Sequence, residues 1–544
     1  MSLRIANGIV HDPANRIAGE IRDLWVEDGR IVAGPLNSPA RSIDATGCIV
    51  MAGGVDLHSH IAGPKVNAAR RFRPDDRRRD TPILSSADWR SATVGSVPTT
   101  FATGALYAGL GYTTAIDAAV PPLGSCHAHL EFNDTPVVDK AMLITLGDHL
   151  YAMDAIARSD TQRLRDFVGW VLATTHGYGI KLVNPGGVEC YKRAEPHRDL
   201  DEPLSGLAVT PRQLLQGFAN VVDELKLPHP VHVHCPQLGR PGNWRTTLEG
   251  MKSLEGRRGH FTHIQFHSYG GGPDDGESFC SRASALAEYV NQHPNITVDV
   301  GQVLFGGTTA LTGDSAVGHY LHEATGRRWI DFDTECEAGC GIIPIEYRNT
   351  SLIHALQWVI GLEWFLLVKN PWQMALTTDH PNGATFWRYP EIIHLLMSRD
   401  RRQEMLHRLP EAVRSRSILH ELNREYTLAE IAIVTRAAPA RILGLGCKGH
   451  LGVGADADVT IYDRQDDITA MFTLPRWVIK AGQVIVENGQ LRRCAASATW
   501  RAATHWEVDF VKSYRPWFEN HYSMRLANFG VHENAASEHV RVIG

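Results

Sequence analysis

The chain has 544 residues, more than a single hydrophobic core serves, and is 43% apolar against 21% charged, the balance of an ordinary globular protein. A net charge of −6 excludes general attraction to nucleic acid or to an anionic membrane. No long uninterrupted apolar run and no basic-then-apolar leader pattern occurs, so no membrane partner and a cytoplasmic location are expected.

Residues 1–50 read as short strands. Ile5-Ala6 and Ile9-Val10 flank Asn7-Gly8, and Trp25-Val26 and Ile31-Val32 flank Asp28-Gly29, both hairpin signals. From residue 51 to 430 helix and strand patterns alternate. Helices are expected over Asp88–Ala108, Asp166–Thr175, Thr210–Leu225, Thr246–Leu254, Ser278–Asn291 and Thr350–Val368. Each precedes an apolar strand, at Tyr112–Ala119, Ile180–Val183, Val231–His234, Phe261–Phe266, Ile296–Val300 and Met374–Thr378. Repeats of this kind imply a parallel sheet covered by helices, and about eight of them favour a closed (β/α)8 TIM barrel.

A last helix starts at Thr427 with Glu430 three residues on, a capping box, and runs to Ile442. Strand character returns at Asp458–Tyr462 and Trp477–Val486. Neither chain end makes a stable sheet alone. The expected architecture is therefore α/β: a barrel over 51–430 inserted in a small β-sandwich built from 1–50 and 431–500. Residues 501–544, with Trp506, Phe510, Tyr514 and Trp517, are expected as a surface-packing extension or partner contact.

The chemistry-bearing residues come in chain order. After the strand Cys48-Ile49-Val50, the run Gly53-Gly54-Val55-Asp56-Leu57-His58-Ser59-His60 puts two imidazoles on the same side of a strand, as two ligands of one metal require. Arg70 and Arg71 open an arginine-rich stretch directly after it. Lys181 sits inside the apolar strand Ile180–Val183, where an ammonium is costly; its neutral amine could capture carbon dioxide as a bridging carbamate, or snorkel or pair with a carboxylate. His232 and His234 face the same way, and His234 is preferred as a ligand because it lies nearer the C-terminal end of its strand, where barrel sites form. Of His263 and His267, His263 is preferred as ligand and His267 as substrate contact. Asp379 ends the last barrel strand. Nine cysteines without CxxC spacing argue for reduced thiols, and the Cys336/Cys340 pair reads as packing before metal.

His58, His60, Lys181, His234, His263 and Asp379, from strands 1, 1, 4, 5, 6 and 8, resemble the ligand set of the amidohydrolase superfamily, in its binuclear subtype with a carboxylated lysine. Met51-Ala52-Gly53-Gly54-Val55-Asp56 and Gly452-Val453-Gly454-Ala455-Asp456-Ala457-Asp458 resemble its flanks. Lys181-Leu182-Val183-Asn184-Pro185-Gly186-Gly187, His263-Ile264-Gln265-Phe266-His267-Ser268-Tyr269-Gly270 and Thr378-Asp379-His380-Pro381-Asn382-Gly383 are similar to the alpha subunits of formylmethanofuran dehydrogenases and of bacterial formyltransferase/hydrolase complexes. That resemblance implies two zinc ions, a carboxylated Lys181, Asp379 as terminal ligand and base, and hydrolysis of N-formylmethanofuran to formate and methanofuran. It also implies a formyltransferase and further subunits as partners, a substrate contact at Asn184, and an anionic glutamate tail that Arg70 and Arg71 would attract. A cyclic amidohydrolase of dihydroorotase or hydantoinase type and a non-catalytic scaffold are the alternatives.

Overall fold

The computed structural model describes residues 2–35, 39–69, 100–193, 199–204, 206–272, 275–327, 330–332, 340–495, 497–532, 535–537 and 539–544. Among them, eight parallel strands follow one another around a barrel: Gly54–Ser59, Tyr112–Val120, Asp139–Thr145, Gly179–Val183, Val231–His234, Gly259–Phe261, Ile296–Asp299 and Met374–Ala375. Each pairs with the next in sequence. A parallel bridge between Ser59 and His380 brings the chain beyond the eighth strand back to the first and closes the ring. The strands Tyr112–Val120 and Asp139–Thr145 are buried at every position, because side chains fill the barrel on one face and helices cover the other.

The helices form where the sequence supplies caps and an apolar stripe. Pro211–Glu224 starts at a complete capping box between Thr210 and Gln213, with proline in its first turn, and buries Leu214, Leu215, Phe218, Val221 and Val222. Leu352–Leu367 is apolar almost all round and packs inside the outer layer, capped by Ser351. Thr427 and Glu430 also make their reciprocal box. Thr427→Ala should cost about 1 kcal/mol, seen as a lower urea midpoint with unchanged slope; an unaltered midpoint would show that packing alone holds this helix start. No helix among the described residues is long and apolar enough to cross a membrane.

Both chain ends share one sheet. Ser2–Asp12 pairs with Ile17–Glu27, Arg41–Asp44 and Cys48–Ala52, and Cys48–Ala52 pairs with Val459–Asp463, which continues into Trp477–Lys480 and Gln483–Glu487. The Ile31 N–H donates to the Ala455 carbonyl and the Gly454 N–H to that of Ile31, which returns the sheet's far edge towards the middle, so the sheet folds over a core of Leu3, Val26, Val50, Val459 and Ile479.

Several local expectations need correction. Asn7-Gly8 is no hairpin: Ser2–Asp12 is one strand, with Asn7 at φ 60° absorbing a register shift. Asp28-Gly29, both at positive φ, does turn the chain between Glu27 and Arg30. The sixth barrel strand stops at Phe261 and does not reach Phe266; Ile264–His267 is a 3-10 turn. The segment from Ser278 begins as strand Asp275–Ser281, paired with Tyr269–Gly272, and becomes helix only at Ala283. Of the helix expected over Asp88–Ala108, residues 88–99 lie outside the described residues, and Thr100–Gly109 is helical. Thr499–Ala502 is a strand that pairs with the third barrel strand and with Val540–Ile543, while Tyr514 of helix Phe510–His521 is fully buried among Tyr151, Phe167 and Trp170. These last residues therefore complete the core and do not merely coat it.

Where the end sheet meets the N-terminal side of the barrel, charges are buried together. The Lys448 ammonium contacts Asp139, Asp456 at 2.8 Å and Asp458 at 2.7 Å, and Lys480 lies 2.7 Å from Asp139 and 2.8 Å from Asp458. Arg30 and Arg541 pair with Asp456 from outside. The three carboxylates have the spacing of a cation site, but the Lys448 amine stands where a metal ion would.

Candidate metal centre

The opposite, C-terminal side of the barrel opens onto a cavity of about 510 Å3, within the usual range for a small-molecule site. His58, His60, Lys181, His234, His263 and Asp379 all line it, and all are buried. His58 Nε2 lies 3.0 Å and His60 Nε2 3.1 Å from Asp379 Oδ1, so the first and eighth strands meet through these side chains. The His263 ring centroid is 5.5 Å from that of His58 and 4.7 Å from that of His234. His58, His263 and Asp379 present donor atoms close enough together to hold one ion.

Three strand ends turn abruptly to aim their side chains. Asn184 (φ 42°), His263 (φ 34°) and Asp379 (φ 49°) occupy the left-handed region, sparsely populated by non-glycine residues and enriched at functional sites. Gly301, at φ 56°, lies against two of them; a Cβ there would sit 2.7 Å from His263 Cβ and 3.1 Å from that of Asp379. Only glycine lets the sixth and eighth strand ends approach this closely.

The electrostatics suit cation binding. Burial pulls the Lys181 ammonium down to about 7, against the attraction of Asp299 and Asp379. Its Nζ has no hydrogen-bond partner among the described residues, nor do His234 Nε2 and His263 Nδ1. Burial alone would raise the Asp379 carboxyl, but His58 beside it and hydrogen bonds from His58 and His60 hold it well below the ordinary carboxylate range.

Asp299, at the end of the seventh strand, is the site residue that sequence reasoning misses. Its Oδ1 accepts the His263 backbone N–H at 2.6 Å; its Oδ2 accepts from Thr262 and lies 3.0 Å from both His58 Nδ1 and His260 Nε2. A carboxylate on His58 Nδ1 leaves Nε2 free for a cation and fixes the ring. The only signal for it is an aspartate closing the apolar strand Ile296–Asp299. His232 lies beneath the site, its Nε2 3.3 Å from His58 Nδ1, and is not on the cavity wall. His267 also lies behind the wall, stacked on His263 at 5.2 Å, and Asn184 is buried with its side chain bonded to Asp314. Arg70, Arg71 and Cys336 lie outside the described residues.

A segment inserted after the seventh strand walls the outer cavity. Gly306–Thr312 and Cys340–Tyr347 pair antiparallel, and helix Ser315–Thr325 packs beside them. Leu311, Val317, Leu321, Ile345 and Tyr347 make this wall mostly apolar.

A model of the amidohydrolase family matches residues 41–486. The chain belongs to the amidohydrolase family. This amidohydrolase is 41% identical to Protein FwdA of Methanocaldococcus jannaschii, over 99% of the chain and 98% of the relative. It is 38% identical to one subunit of the formyltransferase/hydrolase complex Fhc of Methylorubrum extorquens, over 99% and 98%. It also superimposes on a chain of the crystal structure of the formyltransferase/hydrolase complex FhcABCD from Methylorubrum extorquens in complex with methylofuran, with a TM-score of 0.94 and 37% identity over 100% and 99% of the two chains. The amidohydrolase fold extends to a D-aminoacylase, at a TM-score of 0.52 and 12% identity over 91% and 99%.

Proposed function

We propose that this amidohydrolase cleaves the N-formyl amide of a methanofuran-type carrier to formate and the free amine, as the hydrolase component of a formyltransferase/hydrolase complex. The observation that carries this reading is the convergence of two imidazole pairs, a lysine and a carboxylate on one cavity, in a chain alike end to end to a component of such a complex. Buried nitrogen atoms at Lys181, His234 and His263 that have no hydrogen-bond partner among the described residues fit a cation-binding role, since leaving such atoms unpaired is otherwise costly. His58, His60, His234, His263 and Asp379, together with a carboxylated Lys181, would hold two zinc ions. Such a cation pair supplies the Lewis acidity that lowers the pKa of water and polarises a carbonyl oxygen.

The chain's own groups do the rest. With burial pulling the Lys181 ammonium down to about 7, a substantial unprotonated fraction exists at pH 7, as capture of carbon dioxide demands. Asp379 takes the proton of the attacking water and passes it to the carrier nitrogen as the C–N bond breaks and the new C–O bond forms. The apolar residues of the wall limit the access of bulk water to the reacting amide.

Purified enzyme with an N-formylated furan-methylamine carrier should release one formate per free amine. Hydrolysis of dihydrouracil with none of the formamide would instead establish a cyclic amidohydrolase. Lys181→Ala should retain less than half the metal of the wild type by elemental analysis and lose turnover. Full metal content in that variant would refute Lys181 as a ligand.

A further inference from the structure

The loop after Asp379 carries a residue that the ligand set does not use. Asn382 lies on the cavity wall, and its side-chain amide is bonded on both sides. The Leu311 backbone N–H donates to Asn382 Oδ1 at 2.6 Å, and Asn382 Nδ2 donates to Asp379 Oδ1 at 2.9 Å. A backbone N–H can only donate, so the amide oxygen must face Leu311 and the NH2 must face the carboxylate; a flipped amide would lose both bonds. The wall grips the same loop twice more: Tyr347 Oη donates to the Asn382 carbonyl at 3.1 Å, and Thr308 Oγ1 donates to that of Pro381. Leu311, Tyr347 and Thr308 all belong to the two inserted wall strands.

At Asp379 this has a directional effect. Among the described residues, His58 Nε2, His60 Nε2 and Asn382 Nδ2 all meet the same oxygen, Oδ1, and none meets Oδ2. The imidazoles alone leave the carboxylate free to rock about its last torsion, a broad and soft one. A third donor, held by the wall, pins it.

We infer that Asn382 is a positioning residue for the base: it fixes the rotation of the Asp379 carboxylate so that Oδ1 stays with the histidines and Oδ2 is presented to the cavity. Because Asn382 is itself held by Leu311 and Tyr347, the wall that encloses the reacting amide also sets the aim of the base. This inference rests on Asp379 being the base, as proposed above, and the two can fail separately. Absence of formamide hydrolysis by the wild type refutes the function; the ratio of variant to wild type judges Asn382.

Asn382→Asp separates positioning from mere support. Its carboxylate still accepts from the Leu311 N–H, so the wall contact survives, but it offers no donor to Asp379 and sets a like charge beside it. The expected result is a kcat lower by about 10^2-fold, with KM within about threefold and metal content equal to wild type, as misaim of a reacting group by an ångström can produce. A kcat within threefold of wild type would overturn the inference. So would a loss of metal with kcat per bound metal unchanged, which would make the amide a metal-retention device. If Asn382→Asp does not fold, Asn382→Ala is used with acetamide as an added donor. Partial recovery of kcat by acetamide, with KM unmoved, supports positioning; a kcat at the wild-type level without acetamide, or a deficit that acetamide leaves untouched, refutes it.

Discussion

Asp379→Asn is expected to lower kcat by about 10^4-fold, at the upper end of what a general base contributes, because the side chain also belongs to the proposed ligand set. Asparagine is the informative choice. It matches aspartate in shape and tolerates the left-handed backbone at φ 49°, so the loop keeps its conformation, whereas alanine would add backbone strain to lost chemistry. An amide cannot take a proton from water, and with its oxygen kept on the three nitrogens that now meet Oδ1 its NH2 would stand in the place of Oδ2. Formate release measured beside elemental analysis and a thermal melt separates the effects. A melt within a few degrees of wild type with turnover abolished is the expected pattern; turnover above a tenth of wild type would remove Asp379 from the mechanism.

At the other end of the barrel, Lys448→Met should destabilise the protein by about 3–5 kcal/mol, the usual cost of removing one partner from a buried ion network. The ammonium is enclosed and serves Asp139, Asp456 and Asp458 at once. Lys480 would remain to face Asp139 and Asp458, with Arg30 and Arg541 on Asp456. Burial would raise the carboxyls of Asp139 and Asp458, but Lys448 and Lys480 pull both below the ordinary range. Carboxyls with folded pKa values below the unfolded value near 4 stabilise the fold above that pH, and the contribution is lost as pH falls. Lys448, held well above its ordinary value by the same carboxylates despite burial, contributes below about pH 10 and is lost above it. The network's own contribution, read as the difference in melting temperature between wild type and Lys448→Met, should therefore be level between about pH 5 and 9 and shrink on the acid side. The variant should start several degrees lower at pH 7 and show a shallower acid loss. Equal melts at pH 7 would mean that Lys480 alone suffices.

How much of this is legible in the sequence depends on how strictly the chemistry constrains the residue. The pair His58 and His60 is readable because alternation on a strand leaves one way for both imidazoles to share a space. Lys181 stands out because an ammonium inside an apolar strand has few inexpensive explanations. His263 is recognisable as a cavity residue but not in its backbone setting. It starts a 3-10 turn whose position depends on the remote Asp299 carboxylate accepting its N–H. Asp299 itself is illegible, since a lone aspartate ending a strand looks like any turn residue until its partners converge. The inserted wall is equally silent: Gly306–Thr312 has weak alternation, and its antiparallel partner begins only at Cys340. Asn382 carries no signal of its own, because its role lies in two bonds to residues 71 and 3 positions away.

The amine at the centre of the Asp139, Asp456 and Asp458 trio has a consequence for how the molecule loses function. A chain that fills its acidic pocket with its own lysine does not depend on dissolved cations to keep its foot together, whatever happens at its mouth. Chelation at the mouth would leave this ion network intact, so loss of activity and loss of the fold need not share a trigger.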